Sequence, residues 1–258
     1  MDLLIIGAMK CGTSALFDLL VQTDKIVGSR IKEPGFFSGR LMTLEEYKSL
    51  WDKSEQHIKL EATANYYCHD NSISRILKFN PSSKFIFIHK HPILRAKSHI
   101  LHESRYRDLS TIKTDKQFLE KVTERSMYYT QIKNYYGKIS DKLLCIETSQ
   151  LNMPHEIISE VSDFMEIKLT LNRDYKQTRY EGHASKSKLI GRMREQISEF
   201  LLNNGLYSAH NTLRKNALLK QLYSLNQSSM IENLEIEDFI DVNTILSDYE
   251  KFNLMITS

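Results

Sequence analysis

Residues Leu3–Ser14 read LLIIGAMKCGTS, and the amphipathic stretch Ala15–Leu20 follows them directly. An apolar run that ends at a glycine, then a short loop and an amphipathic stretch, predict a strand, a tight loop and a helix. Such a loop gathers unpaired backbone N–H groups at the positive end of the helix, and this arrangement binds phosphate-like anions. The stretch therefore predicts an α/β fold with an anion site after its first strand.

The loop differs from a Walker A loop in the position of its lysine. Gly7 and Gly12 have the spacing of the two glycines in GxxxxGK[ST], but Thr13 stands where that motif has lysine. The lysine of this loop, Lys10, lies between the two glycines. An ordinary strand-to-helix turn with a solvated lysine is the alternative interpretation of this segment taken alone.

Four more short apolar runs follow, and all of them are nearly continuous rather than alternating in polarity. Strands of this kind are buried on both faces, as in a parallel sheet covered by helices. We therefore predict a P-loop-like, parallel five-stranded sheet flanked by helices, with a helical C-terminal part. The five predicted strands are Leu3–Ile6, Ile26–Val27, Ile58–Leu60, Phe85–His89 and Leu143–Ile146.

Capping residues and periodicity predict the helices between these strands. Thr43 and Glu46 have the spacing of a capping box, and Asp70 is placed to cap a helix over Ile73–Phe79 that Asn80-Pro81 closes. Three longer helices are predicted over Ile93 to about Arg107, Phe118 to Gly137 and Pro154 to Met165, and the chain from Lys186 onward is predicted to be helical throughout.

Composition excludes several classes of protein. The 258 residues are 41% hydrophobic and 26% charged, and nine Gly and four Pro leave little material for a linker, so we expect a single domain over residues 1–258. A net charge of +3 is too small for a protein that binds nucleic acid through counterion release. The three cysteines are far apart in the sequence, which favours a reducing compartment, and the longest apolar runs are too short for a membrane span. We therefore expect a cytoplasmic protein.

A second candidate anion site follows the predicted strand Phe85–His89. Lys90 ends this strand, Pro92 begins a helix, and Ser98 lies two turns along that helix. A cation and a hydroxyl group can thus converge at the carboxyl end of a strand, which is the edge where open α/β sheets bind ligands. A charged strand end and a helical serine are also common without any ligand.

A candidate general base follows the second predicted strand, in the KEPGFF segment, Lys32–Phe37. A carboxylate at a strand end, backed by proline and two aromatic residues, is placed to act as a base beside the anion loop. Glu33 is that carboxylate. The alternative is a surface Lys-Glu pair with an aromatic anchor.

The order of these segments and their residues resemble those of the nucleotide-dependent sulfotransferases, which use 3′-phosphoadenosine 5′-phosphosulfate (PAPS) as co-substrate. The resemblance is to the branch that contains the heparan sulfate sulfotransferases and many bacterial relatives, and it covers about the first 150 residues well and later parts loosely. It implies that GAMKCGTSAL, from Gly7 to Leu16, binds the 5′-phosphosulfate. The implied ligands are Lys10, Cys11, Gly12, Thr13 and Ser14.

The resemblance also implies roles for residues elsewhere in the chain. HKHPILRAKSH resembles the 3′-phosphate signature and places Lys90 and Ser98 on the phosphate ligands, with Arg95 matching the second arginine of that signature. Glu33 falls on the catalytic glutamate, with Lys10 as its catalytic partner. Ser185 and Lys186 fall in the segment that corresponds to a loop closing over the nucleotide.

Four positions depart from the pattern of the family. Lys90 replaces an arginine and so keeps the charge but loses the bidentate fork, and His91 replaces an aspartate. Gly35 replaces a histidine near the glutamate, and Ala62 replaces a lysine in the LEATANYY segment, residues 60–67. These differences bear on the identity of the acceptor more than on the reaction.

The implied reaction moves a sulfuryl group from PAPS to a hydroxyl or amine of a small-molecule or carbohydrate acceptor. No metal is expected, because the sequence has no clustered carboxylates. One alternative is a P-loop, kinase-like phosphotransferase that uses ATP; it would need the Walker lysine, which Thr13 replaces, and a magnesium-holding acid, for which Glu61 is the candidate. The other alternative is a catalytically inactive nucleotide-binding relative.

Overall fold

The central feature of the structure, a computed structural model, is a five-stranded sheet. The structure describes residues 2–51, 57–69, 71–172 and 234–257, together with parts of the stretch 184–228. The strands are β1 (Leu3–Gly7), β2 (Ile26–Gly28), β3 (Ile58–Ala62), β4 (Lys84–His89) and β5 (Leu143–Glu147). They lie in the order β2-β3-β1-β4-β5, and every neighbouring pair is parallel. The α/β prediction and all five predicted strands are confirmed.

Helices cover both faces of this sheet. The helices described as far as residue 165 are α1 (Thr13–Leu20), α2 (Leu44–Lys48), α3 (Ser72–Phe79), α4 (Pro92–Glu103), α5 (Leu109–Thr114), α6 (Lys116–Glu124), α7 (Tyr128–Ile139) and α8 (Pro154–Met165). One face of the sheet packs on α1 and α8 and the other on α3 and α7, so the side chains of the central strands are buried on both faces. This two-sided burial is the reason that the strands are apolar without alternation.

Two predicted helix starts can be compared with the structure. Thr43 and Glu46 form the reciprocal capping box of α2: Glu46 N donates to Thr43 Oγ1, and Thr43 N donates to a carboxylate oxygen of Glu46. The predicted cap Asp70 lies outside the described residues, and Asn71 precedes α3 without a side-chain cap.

The prediction of one helix over Phe118 to Gly137 is wrong, because α6 ends at Glu124 and α7 begins at Tyr128. Side chains from other elements bind the backbone at the break. The Tyr67 hydroxyl donates to Arg125 O over 2.5 Å, and both carboxylate oxygens of Asp248 accept backbone N–H groups at the start of α7. Helix periodicity continues across residues 125–127 in the sequence, but these tertiary hydrogen bonds stabilise the interruption.

The prediction that the chain is helical throughout from Lys186 onward is also wrong. A short antiparallel pair joins β6 (Ala184–Ser185) to β7 (Gln227–Ser228), on either side of α9 (Lys188–Asn203). The last helix, α10 (Val242–Thr257), packs against α4 and α7, and its Phe252 is buried in the core on one face of the sheet. The C-terminal part thus contributes to the body that carries the sheet.

Candidate functional site

The carboxyl ends of β1 and β4 are adjacent at the centre of the sheet, where the direction of the crossover connections reverses. Such a switch point is where open α/β sheets bind ligands. Ala8 N, just after β1, donates to Ile88 O of β4 over 2.6 Å, and the Thr148 hydroxyl lies 2.6 Å from Cys11 O and 3.0 Å from His89 O. These contacts bring the two predicted anion segments together.

The loop between β1 and α1 has the geometry of an anion cradle. Lys10 and Gly12 both adopt left-handed backbone angles, with φ of 71° and 93°. The first intrahelical hydrogen bond of α1 runs from Leu16 N to Gly12 O at 3.0 Å, so the N–H groups of Thr13 and Ser14 precede the helical ladder. N–H groups at a helix start, together with the Lys10 side chain in the same loop, suit an anion.

Two small residues fix the shape of this loop. A Cβ atom on Gly12 would lie 2.7 Å from Leu151 Cδ1, and the positive φ would strain any other residue. Cys11 is buried with its Sγ 3.5 Å from the Tyr128 hydroxyl oxygen, and burial raises the pKa of its thiol. Cys11 is therefore a packing residue of the loop rather than a reactive thiolate.

Lys90 and Ser98 lie at the carboxyl end of β4 and on α4, both half-buried. The Tyr128 hydroxyl, which also contacts Cys11, donates to Lys90 O over 3.1 Å and so joins this strand end to the anion loop. Burial lowers the pKa of the Lys90 ammonium and the charge of Arg95 lowers it further, while Cys11 opposes the shift. A bound anion beside Lys90 would favour its charged form.

Arg95, on the same helix as Ser98, is bound largely by protein atoms. Its side chain is wholly buried: Nη2 donates to Val122 O of α6 over 2.9 Å, and Nε donates to Ser126 Oγ, just after α6, over 3.0 Å. The second arginine of the resembled signature therefore packs α4 against α6 in this chain.

The KEPGFF segment reaches the start of α1 through Lys32. The Lys32 ammonium donates to Ser14 Oγ and lies 3.6 Å from Glu33 Oε1. The Lys32 side chain is 16% exposed and that of Glu33 is 51% exposed, so the cation sits inside and the carboxylate at the surface of the site. The structure thus joins Ser14 to Glu33 through Lys32, a residue that the sequence motifs alone do not mark as a member of the site. Lys10 lies in the same loop that leads into α1.

The backbone of Glu33 is held in an unusual conformation. Its φ is 60°, in the left-handed region that non-glycine residues rarely adopt. Glu33 N donates to Ala62 O over 2.8 Å, and Arg40 Nη1 donates to Glu33 O over 2.8 Å. The bond to Ala62 ties the residue to the end of β3, which is the strand beside β1.

Glu61 does not have the surroundings of a metal ligand. It is wholly buried, and the hydroxyl groups of Tyr47, Thr63 and Tyr66 all donate to its carboxylate. Among the described residues no group of three or more His, Cys, Asp or Glu is placed to hold a metal ion. The magnesium-holding acid that a kinase-like enzyme requires is therefore not provided by Glu61.

The predicted nucleotide-covering loop is only partly described. Ser185 lies in β6, where its backbone pairs with Gln227 of β7, and Lys186 lies outside the described residues. Both stay predictions as nucleotide ligands. No described helix is long and apolar enough to cross a membrane.

The structure resembles solved sulfotransferases. A sulfotransferase from Alicyclobacillus acidocaldarius aligns with a TM-score of 0.60 at 19% sequence identity, covering 85% of this chain and 95% of that one. The sulfotransferase domain from the curacin biosynthetic pathway aligns with a TM-score of 0.50 at 12% identity, covering 70% and 80% of the two chains. The sequence matches no protein-family model and no curated protein. The chain therefore has the fold of sulfotransferases.

Proposed function

We propose that the chain is a PAPS-dependent sulfotransferase, formed by residues 1–258 as one domain, that transfers a sulfuryl group to a hydroxyl or amine of a small-molecule or carbohydrate acceptor. The observation that carries this proposal is the chain of contacts from Ser14 through Lys32 to Glu33. A half-exposed carboxylate close to the start of α1 supports the proposal, because the reaction needs a base beside an anionic donor group.

Each residue of the site has a role in this reaction. Glu33 accepts the proton from the acceptor as the acceptor's oxygen or nitrogen forms its bond to sulfur. The bond from sulfur to the 5′-phosphate oxygen breaks, and 3′,5′-adenosine diphosphate leaves. Lys10, Lys32 and the N–H groups at the start of α1 stabilise the negative charge that grows on the leaving oxygen. Cys11, Gly12, Thr13 and Ser14 form the loop that holds the 5′ end of the donor.

The 3′-phosphate is assigned to Lys90 and Ser98, with Ser185 and Lys186 proposed to cover the nucleotide. Burial lowers the pKa of the half-buried Lys90 ammonium, and a phosphate beside it would oppose that shift by stabilising the charged form. The surroundings of Glu61 and the presence of Thr13 in place of the Walker lysine favour sulfuryl transfer over magnesium-dependent phosphoryl transfer. We also place the reaction in the cytoplasm, because all three cysteines are free thiols.

Glu33→Gln tests the assignment of the base. The variant keeps the shape of the side chain and removes its basicity, so PAPS consumption with a panel of phenols, amines and sugars should fall about a hundredfold or more. The dissociation constant of 3′,5′-adenosine diphosphate should change less than about twofold, because Glu33 is not assigned to nucleotide binding. Turnover that survives within about fivefold would show that another group accepts the proton.

A further inference from the structure

The strongest unexplained feature outside the anion-binding groups is the buried carboxyl group of Glu61, near the end of β3. The Tyr66 and Thr63 hydroxyls donate to Oε1 over 2.7 and 2.9 Å, and the Tyr47 hydroxyl donates to Oε2. Burial raises the pKa of Glu61, and the three hydroxyl groups oppose that shift. Burying a carboxyl group costs free energy that a hydrophobic side chain would not. Stability alone is therefore a weak reason for a glutamate at this position.

Two of these hydroxyl groups also accept hydrogen bonds from the KEPGFF segment. Gly35 N donates to Thr63 Oγ1 over 3.3 Å, and Phe37 N donates to the Tyr66 hydroxyl over 3.2 Å. A hydroxyl group has a single proton, and both hydroxyl groups give theirs to Glu61. Their lone pairs consequently face the two backbone N–H groups, and Glu61 sets that orientation.

Tyr47 contacts the segment in a different way. Its ring stacks on that of Phe36 with centroids 4.3 Å apart, and its hydroxyl donates to Glu61. Tyr47 and Tyr66 thus contribute one hydroxyl group each to the same carboxylate. The Tyr66 hydroxyl differs in that it also accepts a hydrogen bond from the backbone of the segment.

The backbone of Glu33 needs this external support. A non-glycine residue in the left-handed region is strained and persists only where its surroundings fix it. The Glu33 side chain is half-exposed, so packing of the side chain itself contributes little to its orientation. Its direction is instead set by the backbone of the segment, which the bonds at Gly35 and Phe37 anchor just downstream.

We propose that Glu61 is a positioning residue, which acts through the Thr63 and Tyr66 hydroxyls to hold the backbone that aims Glu33 at the anion loop. This inference rests on the proposed function, since the position of Glu33 matters to turnover only if Glu33 accepts the proton. Small displacements of a catalytic group reduce rates strongly, so a loosened segment should lower turnover without changing donor binding.

Tyr66→Phe and Tyr47→Phe form a matched pair that tests this role. Each removes one hydroxyl donor from Glu61 and keeps the ring. In Tyr66→Phe, hydrogen exchange at the amides of residues 33–39 should rise about tenfold and kcat for PAPS consumption should fall by about the same factor, with the affinity for 3′,5′-adenosine diphosphate unchanged. In Tyr47→Phe both quantities should stay within about threefold of the wild-type values. Equal changes in the two variants would overturn the proposal, because the network would then be a merely structural one.

Hydrogen exchange requires no turnover, so the two possible failures can be told apart. If Glu33→Gln is inactive but Tyr66→Phe and Tyr47→Phe do not differ in either measurement, the positioning role of Glu61 is wrong and the proposed function stands. If Glu33→Gln keeps its activity while exchange rises selectively in Tyr66→Phe, the assigned base is wrong, and the positioning role falls with it. A selective rise in exchange together with a selective loss of kcat supports both.

Discussion

Lys90 is the residue at which the proposed donor site departs most clearly from the sulfotransferase pattern that it resembles. A lysine ammonium binds phosphate as a point charge and cannot make the two parallel hydrogen bonds of a guanidinium group. The Tyr128 hydroxyl donates to the Lys90 carbonyl at the end of β4. The 3′-phosphate should therefore be held by charge and by the Ser98 hydroxyl together.

Lys90→Met should weaken the binding of 3′,5′-adenosine diphosphate by on the order of 1.5–3 kcal/mol, the range for a hydrogen bond to a charged group. Lys90→Arg restores the fork and should preserve or tighten binding. Calorimetric titration of the nucleotide into the three proteins measures both effects. An unchanged affinity in Lys90→Met would show that the 3′-phosphate is bound elsewhere.

The residues of the site differ in how far the sequence reveals them. Lys10 and Glu33 lie in short motifs that stand out in the sequence, and their roles are predicted from the family that these motifs together resemble rather than from either motif alone. The contact of Lys32 with Ser14 joins the KEPGFF segment to α1, two parts of the chain that only the folded sheet brings together, so no local sequence pattern predicts it. The function of Glu61 is hidden for the same reason, because its three hydroxyl partners converge only when α2 and the turn after β3 pack together.

At the scale of elements, the start of α7 depends on a side chain from the C-terminal helix. Asp248 of α10 is buried, and its carboxylate accepts hydrogen bonds from Tyr129 N at 2.8 Å and from Thr130 N at 3.0 Å. The Thr130 hydroxyl donates to it as well, over 2.6 Å. These bonds satisfy N–H groups that the helix itself leaves without partners.

Asp248→Ala should lower the free energy of unfolding by about 2–3 kcal/mol, because it removes a buried helix cap with several charge-assisted bonds. Urea denaturation measures the change. Asp241→Ala is the matched control. Asp241 accepts hydrogen bonds from Asn243 N and from the Thr244 hydroxyl at an exposed position, so this variant should lower the free energy of unfolding clearly less than Asp248→Ala does. Equal losses would mean that the bond between α10 and α7 contributes no more than an ordinary surface cap.

The strands and the helices differ in how well sequence patterns predict them. A parallel strand buried on both faces appears in the sequence as a continuous apolar run, and its bounds can be predicted from that run. All five strands were predicted within two residues at each end. Helix boundaries depend on partners that are distant in the chain. The break between α6 and α7 requires Tyr67 and Asp248, and neither is visible from residues 118–137.

At the scale of the whole molecule, two buried histidines make stability depend on pH. Burial lowers the pKa of His89 to about 4, against a smaller opposing effect of Glu147, and burial together with the charge of Arg95 lowers that of His99 to about 2. Unfolding returns both groups to a pKa of about 6.5. The unfolded chain therefore binds more protons below that pH, and stability falls as the pH drops from about 6.5 toward 4.

His89→Phe should reduce this acid sensitivity. His89 lies among the rings of Phe87, Tyr128 and Phe252, so phenylalanine fits the surroundings. The free energy of unfolding should differ between pH 6.5 and pH 4 by up to about 3 kcal/mol less in the variant than in the wild type. Urea midpoints at a series of pH values measure it, with a variant of the exposed His155 as control. An unchanged pH slope in His89→Phe would show that His89 does not stay neutral in the folded protein.

The central claim is that the protein binds a nucleotide with a 3′-phosphate. A thermal shift measurement tests this claim most directly. A ligand that binds the folded protein alone raises the melting temperature in proportion to the logarithm of its concentration over its dissociation constant. We expect a clear rise in melting temperature with 3′,5′-adenosine diphosphate and a much smaller rise with 5′-adenosine monophosphate, which lacks the 3′-phosphate. The rise with magnesium-ATP should not exceed the rise with 3′,5′-adenosine diphosphate. Equal shifts with the first two nucleotides, or the largest shift with magnesium-ATP, would contradict the assignment of this chain as a PAPS-dependent sulfotransferase.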